Sequence, residues 1–201
     1  MSGKRAFDLI FAAMGLVLFS LLLLIILVLI LLEDGTPVVF AQVRIGRHFR
    51  PFTLYKLRSM RNGKVTRVGG WLRKTGLDEI LQFINVLNGS MSLVGPRPLT
   101  REDARRLNLY DENLPRFRLK PGITGMAQLY AGQGFRITQF LERNYLERQS
   151  LRLDLMLVLF SLLVNLFGKR RMLVWLRRAR NRRVRIKWHR DLLAFLRLHH
   201  H

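Results

Sequence analysis

Polar and apolar positions divide the chain into blocks of very different length. Lys4, Arg5 and Asp8 precede residues 9–32, LIFAAMGLVLFSLLLLIILVLILL, where no side chain is charged. At ~1.5 Å of helical rise per residue this block reaches roughly 36 Å, against about 30 Å for a hydrocarbon core. It is too long for the apolar part of a signal peptide, and no small-residue cleavage site follows, so membrane attachment is expected. Glu33, Asp34, Gly35 and Pro37 end it. Residues 38–46 (VVFAQVRIG) alternate weakly and predict a short strand. Residues 50–60 (RPFTLYKLRSM) are its hairpin partner, through a turn at 46–48.

Residues 61–70 are polar and read as loop. Helical spacing then runs through residues 69–92, with Ile80, Phe83, Ile84 and Leu87 three or four apart and Gly89 as the stop. A proline-punctuated turn (LVGPRPL) leads into a polar helix. A second Gly/Pro block, residues 119–134, suggests backbone fixed for close approach to something. Residues 135–149 predict an amphipathic helix. Residues 153–167 are apolar but short for a span, which favours a core or interfacial helix. The expected fold class is mainly α with a short β-hairpin (α+β).

Composition sharpens this picture. With 35 Lys+Arg against 13 Asp+Glu the net charge is +22, which calls for an anionic partner: nucleic acid, an anionic lipid surface, or a phosphate-bearing substrate. An apolar content of 49% excludes a disordered basic tail, and the absence of cysteine excludes disulfides and thiolate metal sites. After Gly168, basic residues alternate with Met172, Leu173, Trp175, Leu176 and Trp188, as in a helix lying on an anionic membrane face. The expected organisation is a membrane-embedded segment 1–34, a folded region 35–168, a basic interfacial tail 169–198, and a tag remnant 199–201.

Against that charge, the adjacent acids Asp78 and Glu79 in TGLDEILQ stand out. Neighbours on a helix point about 100° apart, so they cannot face each other across a substrate. They can converge on one site at a helix N-terminus, where phosphate is also favoured. The plainer alternative is that Asp78 caps the helix or pairs with Arg73. The surroundings bear on the choice: Arg73 and Lys74 precede the acids, and Arg97 sits between two prolines on a stiff backbone suited to bidentate phosphate recognition. A carboxylate beside such cations is a candidate Mg²⁺ ligand or a nucleophile on phosphorus.

RVGGWLRKTGLDEILQFINVLNGSMSLVGPRPL resembles the signature block of the monotopic phosphoglycosyl transferases, bacterial enzymes that begin membrane-bound glycan assembly. KRAFD, PVVFAQVRIG, YKLRSM, KPGITGMAQ and SLRLDL are similar to that family's other blocks, in the same order. The resemblance implies a ping-pong reaction at the cytoplasmic face of the bacterial inner membrane. Asp78 would attack the β-phosphate of a UDP-sugar and release UMP. Polyprenol (undecaprenyl) phosphate would then take the phospho-sugar from the carboxylate. It implies Mg²⁺ held near Asp78, Glu79 as the second acid in proton transfer or metal binding, and Lys56, Arg73 and Arg97 as phosphate-facing cations. Gln128 and Glu142 join them as substrate-binding residues. Anionic lipids are the other expected partner, and no nucleic acid is expected. A membrane-anchored nucleic-acid or lipid binder without catalysis is the competing class.

Several positions depart from the family's pattern. Its apolar helix usually contains Ser-Pro, which breaks it so that it re-enters one leaflet; here the pair is Ser20-Leu21. Without Pro a straight span is the physical default. Basic flanks on both sides favour a re-entrant segment, with Ser20 bending it by bonding to a carbonyl one turn earlier. Ser90 and Met126 replace a usual Asp and Trp, Glu142 replaces a common Asp, and YAG at residues 130–132 replaces NGR.

Overall fold

The computed structural model describes residues 2–129 and 135–168. The predicted tail 169–198 and the YAG segment lie outside the described residues. The pocket and all its walls belong to one compact unit that ends at Ser161.

The apolar block is two helices, α1 (Ser2–Leu18) and α2 (Ser20–Asp34), bent by 59°. No single helix among the described residues is long and apolar enough to cross a membrane. The break falls at Phe19 (φ −93°, ψ 4°), and Ser20 Oγ donates to the Val17 carbonyl at 2.8 Å. The hydroxyl thus back-bonds three residues earlier, at a break that proline supplies elsewhere. One face of α2 is not left outside: Ile26 and Ile30 are buried with Leu57, Leu72 and Leu81. Burying each isoleucine contributes about 1.5–3 kcal/mol.

KRAFD fastens α1 to the rest. Lys4 Nζ donates to Asp154 at 2.7 Å. Arg5 donates to the carbonyls of Val86 (2.6 Å) and Leu87 (2.9 Å). Asp8, 3% exposed, accepts from Ser92 Oγ and the Leu93 amide, both at 3.1 Å. Each residue of the pattern that carries charge therefore satisfies a buried partner.

β1 (Val39–Ile45) and β2 (Pro51–Leu57) form the predicted antiparallel hairpin, with Gln42 opposite Leu54 and Arg44 opposite Phe52. Period-2 alternation puts Gln42, Arg44, Leu54 and Lys56 on one face. The connecting turn is costly. His48 (φ 54°) and Phe49 (φ 58°) take left-handed conformations that Asn and Gly adopt more readily. Phe49 is compensated by Phe117, with ring centroids 4.2 Å apart.

Two expectations need correction. The polar segment 61–70 is not simply loop. β3 (Met60–Arg61) pairs antiparallel with β4 (Lys64–Val65) around Asn62 (φ 50°) and Gly63 (φ 77°), the turn that Asn-Gly favours. Nor is 69–92 one helix. α3 (Arg67–Thr75) stops at Gly76, whose left-handed conformation (φ 73°) lets its amide bond to the Leu72 carbonyl. A 3₁₀ turn, Leu77–Glu79, and then α4 (Gln82–Leu87) follow. Gly89 (φ 84°) ends α4, as its spacing predicts.

β5 (Ser92–Val94), α5 (Arg101–Arg106), α6 (Pro115–Arg118) and β6 (Gly122–Thr124) complete the region around the pocket. β5 and β6 run parallel, Ser92 opposite Gly122 and Val94 opposite Thr124. What the second Gly/Pro block approaches is the first: a Cβ on Gly122 would lie 2.0 Å from the Gly95 amide nitrogen, and one on Gly125 2.2 Å from the Gly95 oxygen. α7 (Met126–Leu129), α8 (Phe135–Arg148) and α9 (Leu151–Phe167) follow. Mainly α with a short β-hairpin is the fold class observed.

Candidate active site

Four segments wall one pocket. The hairpin supplies Arg44, Leu54 and Lys56. The helical stretch after Gly76 supplies Glu79 and Gln82, and the proline loop supplies Arg97 and Pro98. β6 and α7 supply Gly122, Ile123 and Gln128. The break at Gly76 is what sets Asp78 and Glu79 in the opening turn of a helical run rather than in mid-helix. Gly76, not Asp78, is the N-cap of that turn, so the capping alternative does not hold.

Lys56 joins the two acids. Its Nζ lies 2.6 Å from Glu79 Oε1 and 4.0 Å from Asp78 Oδ2. The Asp78 side chain is 13% exposed. Burial pushes its carboxyl above the usual carboxylate range; Lys56 opposes that shift, Glu79 adds to it and Arg73 opposes it. Arg73 is exposed on the last turn of α3 and acts on the acid through its field.

Arg97 is exposed at the mouth, and among the described residues its side chain makes no hydrogen bond or ion pair. Its loop is held from below. Arg116 Nη2 donates to the Arg97 carbonyl at 3.4 Å and to Glu142 Oε1 at 3.1 Å. Gln128 donates from Nε2 to the carbonyls of Gly95 (3.4 Å) and Gly122 (3.2 Å), tying the two glycine loops together beside the pocket.

Of the sequence-predicted residues, Lys56, Glu79, Arg97 and Gln128 share the pocket wall, with Asp78 beside Lys56. Glu142 does not join them. Its carboxylate is 4% exposed on Arg116, itself 6% exposed, under the proline loop. It resembled a substrate ligand because an acceptor recurs there in the family; the acceptor serves a buried guanidinium. Ser90 is likewise remote from the chemistry. Its hydroxyl closes the turn after α4, donating to the Asn85 carbonyl (3.1 Å) and Asn88 Oδ1 (2.8 Å).

Arg44 was missed as a site residue. Its guanidinium donates to Gln42 Oε1 (2.6 Å) and the Pro98 carbonyl (3.4 Å), and lies 3.6 Å from Asp103. Burial lowers its pKa, partly offset by Asp103 and reinforced by Arg97. Strand alternation could have found it, since Arg44 shares a face with Lys56 across the hairpin.

The Arg116–Glu142 pair gives a stability prediction. Burial raises Glu142 to about 7, against the attraction of Arg116. Glu142→Ala leaves a buried guanidinium unpaired and is expected to cost about 3–5 kcal/mol, read as a lower melting temperature. The pH dependence has a definite sign. A raised folded value means that stability present below 4.5, the ordinary glutamate value, is lost as pH rises toward about 7. Glu142→Gln removes that decline, as thermal melts between pH 4 and 8 would record.

The family model for bacterial sugar transferases matches residues 1–168. An uncharacterized sugar transferase, EpsL, of Bacillus subtilis is 44% identical over 63% of this chain and 67% of its own length. The undecaprenyl-phosphate glucose phosphotransferase of Komagataeibacter xylinus is 34% identical over 84% of this chain and 37% of its own. The UDP-N-acetylgalactosamine-undecaprenyl-phosphate N-acetylgalactosaminephosphotransferase of Aeromonas hydrophila is 38% identical over 82% and 44%. The chain thus spans between about a third and two thirds of the length of these relatives. With the match over residues 1–168, the chain belongs to the bacterial sugar transferase family.

Proposed function

We propose that this chain transfers a sugar-1-phosphate from a UDP-sugar to undecaprenyl phosphate through a covalent intermediate on Asp78. The observation that carries the reading is a half-buried carboxylate beside Lys56 and Glu79, two residues that wall a pocket together with Arg44 and Arg97. Relatives whose names state UDP-sugar donors and undecaprenyl-phosphate acceptors support the substrate classes.

In the first step an Asp78 oxygen attacks the β-phosphorus, the bond to the oxygen bridging the phosphates breaks, and UMP leaves with that oxygen. In the second, a phosphate oxygen of the lipid attacks the same phosphorus and the Asp78 carboxylate departs. Burial keeps the carboxylate poorly solvated and more basic than an ordinary aspartate. Lys56, Arg44 and Arg97 offset charge on the phosphoryl oxygens. Glu79 stands where it can take the proton of an incoming acid phosphate.

The donor set also suits Mg²⁺. That ion binds through one or two carboxylates completed by substrate phosphates and water, rather than an all-protein cage. Among the described residues no cluster of three metal-ligating side chains occurs, while Asp78 and Glu79 share one cation, Lys56. Asp78 and Glu79 would hold the ion, which when bound supplies Lewis-acid stabilisation of the diphosphate.

In the same reading α1 and α2 form a re-entrant hairpin in the cytoplasmic leaflet. Support comes from the 59° bend and from Val17, Leu18, Leu21 and Leu32, each at least 70% exposed. Arg44, Arg47 and Arg50 follow the hairpin as Lys4 and Arg5 begin it, so both ends carry the charges that stay cytoplasmic. A cysteine at Ser2 is expected to resist a periplasmic thiol reagent; labelling there would rule out the re-entrant arrangement.

The test of the activity is UMP release from a panel of UDP-sugars with Mg²⁺, first without and then with undecaprenyl phosphate. One equivalent of UMP without acceptor, with a phospho-sugar adduct on the Asp78 peptide by mass spectrometry, is expected. Release that strictly requires the acceptor, with no adduct, would replace the two-step path by direct displacement.

A further inference from the structure

Gln82 opens α4 and lines the pocket beside Glu79, yet it is only 3% exposed. Among the described residues its carboxamide makes no hydrogen bond, and its polar atoms are not among those sealed from the cavity. A buried amide is normally satisfied by protein or water, so an unpartnered one opening on a pocket points to a ligand. The other pocket carboxamide differs. Gln128 spends its NH₂ on the Gly95 and Gly122 carbonyls, leaving its oxygen to accept.

Gln82 is also placed close to the chemistry. Ile80 (φ −54°, ψ −38°) and Leu81 (φ −64°, ψ −14°) are helical, so the backbone winds from Leu77 into α4 without interruption. Positions 78 and 82 are then four apart on one helical face, and 79 and 82 three apart. Phosphate oxygens only accept, and Lys56, Arg44 and Arg97 already serve them. A neutral amide that donates and accepts at once matches a hydroxyl, which does the same. The sugar is the part of the donor bonded directly to the phosphate that Asp78 attacks; the uracil lies beyond a second phosphate and a ribose.

We propose that Gln82, with Gln128 as a second acceptor, hydrogen-bonds the ring hydroxyls of the donor's sugar and so helps select it. The assignment rests on the transferase reading above. It implies that Gln82 contributes to substrate recognition and not to folding, since no protein group depends on its amide.

The experiment compares wild type, Gln82→Met and Gln82→Ala in UMP release, inhibition by UDP, and thermal melts. In the variants kcat/KM for the preferred UDP-sugar should fall about 10- to 100-fold. Inhibition by UDP, which lacks the sugar, should change less than about twofold, and Gln82→Met should melt no lower than wild type. A donor missing the recognised hydroxyl should lose activity with wild type and show no further loss with Gln82→Met. UDP inhibition weakening in parallel would assign the amide to the nucleotide and overturn the proposal. A lowered melting temperature with kcat/KM unchanged would make Gln82 structural and overturn it too. An active wild type with indifferent variants sinks this assignment alone, whereas a wild type inactive on every donor sinks the transferase reading with it.

Discussion

Asp78→Asn is expected to abolish the phospho-sugar adduct and to lower UMP release by at least about 10⁴-fold, the scale seen when a nucleophile is removed from an assembly that acts as a unit. The fold should not suffer. Asn is isosteric, and Asp78 lies inside a turn whose N-cap is Gly76, so the change removes no cap. The raised carboxyl means that ionised Asp78 is disfavoured in the folded state. Its stability contribution is therefore full below the unfolded value and lost as pH rises through the folded one. The Asn variant should lack that loss and melt at or above the wild-type temperature at neutral pH. Activity lost while stability holds is the signature of a residue kept for chemistry. Unchanged turnover would remove Asp78 from the mechanism. Lys56→Met provides a companion measurement. Because Lys56 holds the Asp78 value down against burial, its loss should move the acid limb of kcat/KM to higher pH.

Gly122→Ala should show the largest effect on stability. The new methyl would stand 2.0 Å from the Gly95 nitrogen and 2.5 Å from the Thr124 oxygen, all backbone atoms that no rotamer change can clear. β5 and β6 would have to separate, at a cost of about 4 kcal/mol or more. Arg97, Pro98 and Gln128 ride on those loops, so donor binding should fail with them. Gly70→Ala is the control with opposite sign. It lies within α3 and its methyl would meet only Val65 Cγ1 at 3.8 Å, so helix propensity should stabilise it by about 1 kcal/mol. Chemical denaturation in detergent measures both.

The hairpin and the helix stop at Gly89 were legible because each is written in local spacing, whereas Lys56 came to the acids only through the family resemblance. The helix break at Gly76 was not legible. The apolar spacing of Ile80, Phe83, Ile84 and Leu87 belongs to the helical run after the break, and periodicity alone does not mark the glycine that ends the helix before it. Asn62-Gly63 did carry a hairpin signal, but its flanking strands are only two residues each, too short to show alternation. Glu142 was misjudged for a different reason. Which cation a carboxylate meets depends on how α6, α8 and the proline loop pack, and no spacing along the chain encodes a pairing 26 residues apart.

The fastening of α1 by Lys4, Arg5 and Asp8 has a practical consequence for making this protein in soluble form. Deleting the apolar hairpin would strip Asp154 of its lysine and the carbonyls of Val86 and Leu87 of their guanidinium. It would also expose Leu57, Leu72 and Leu81, which pack against Ile26 and Ile30. A fragment without the hairpin would therefore aggregate or unfold instead of staying in solution. Solubilisation has to be sought by recoating the exposed apolar side of the two helices while leaving their inner faces untouched.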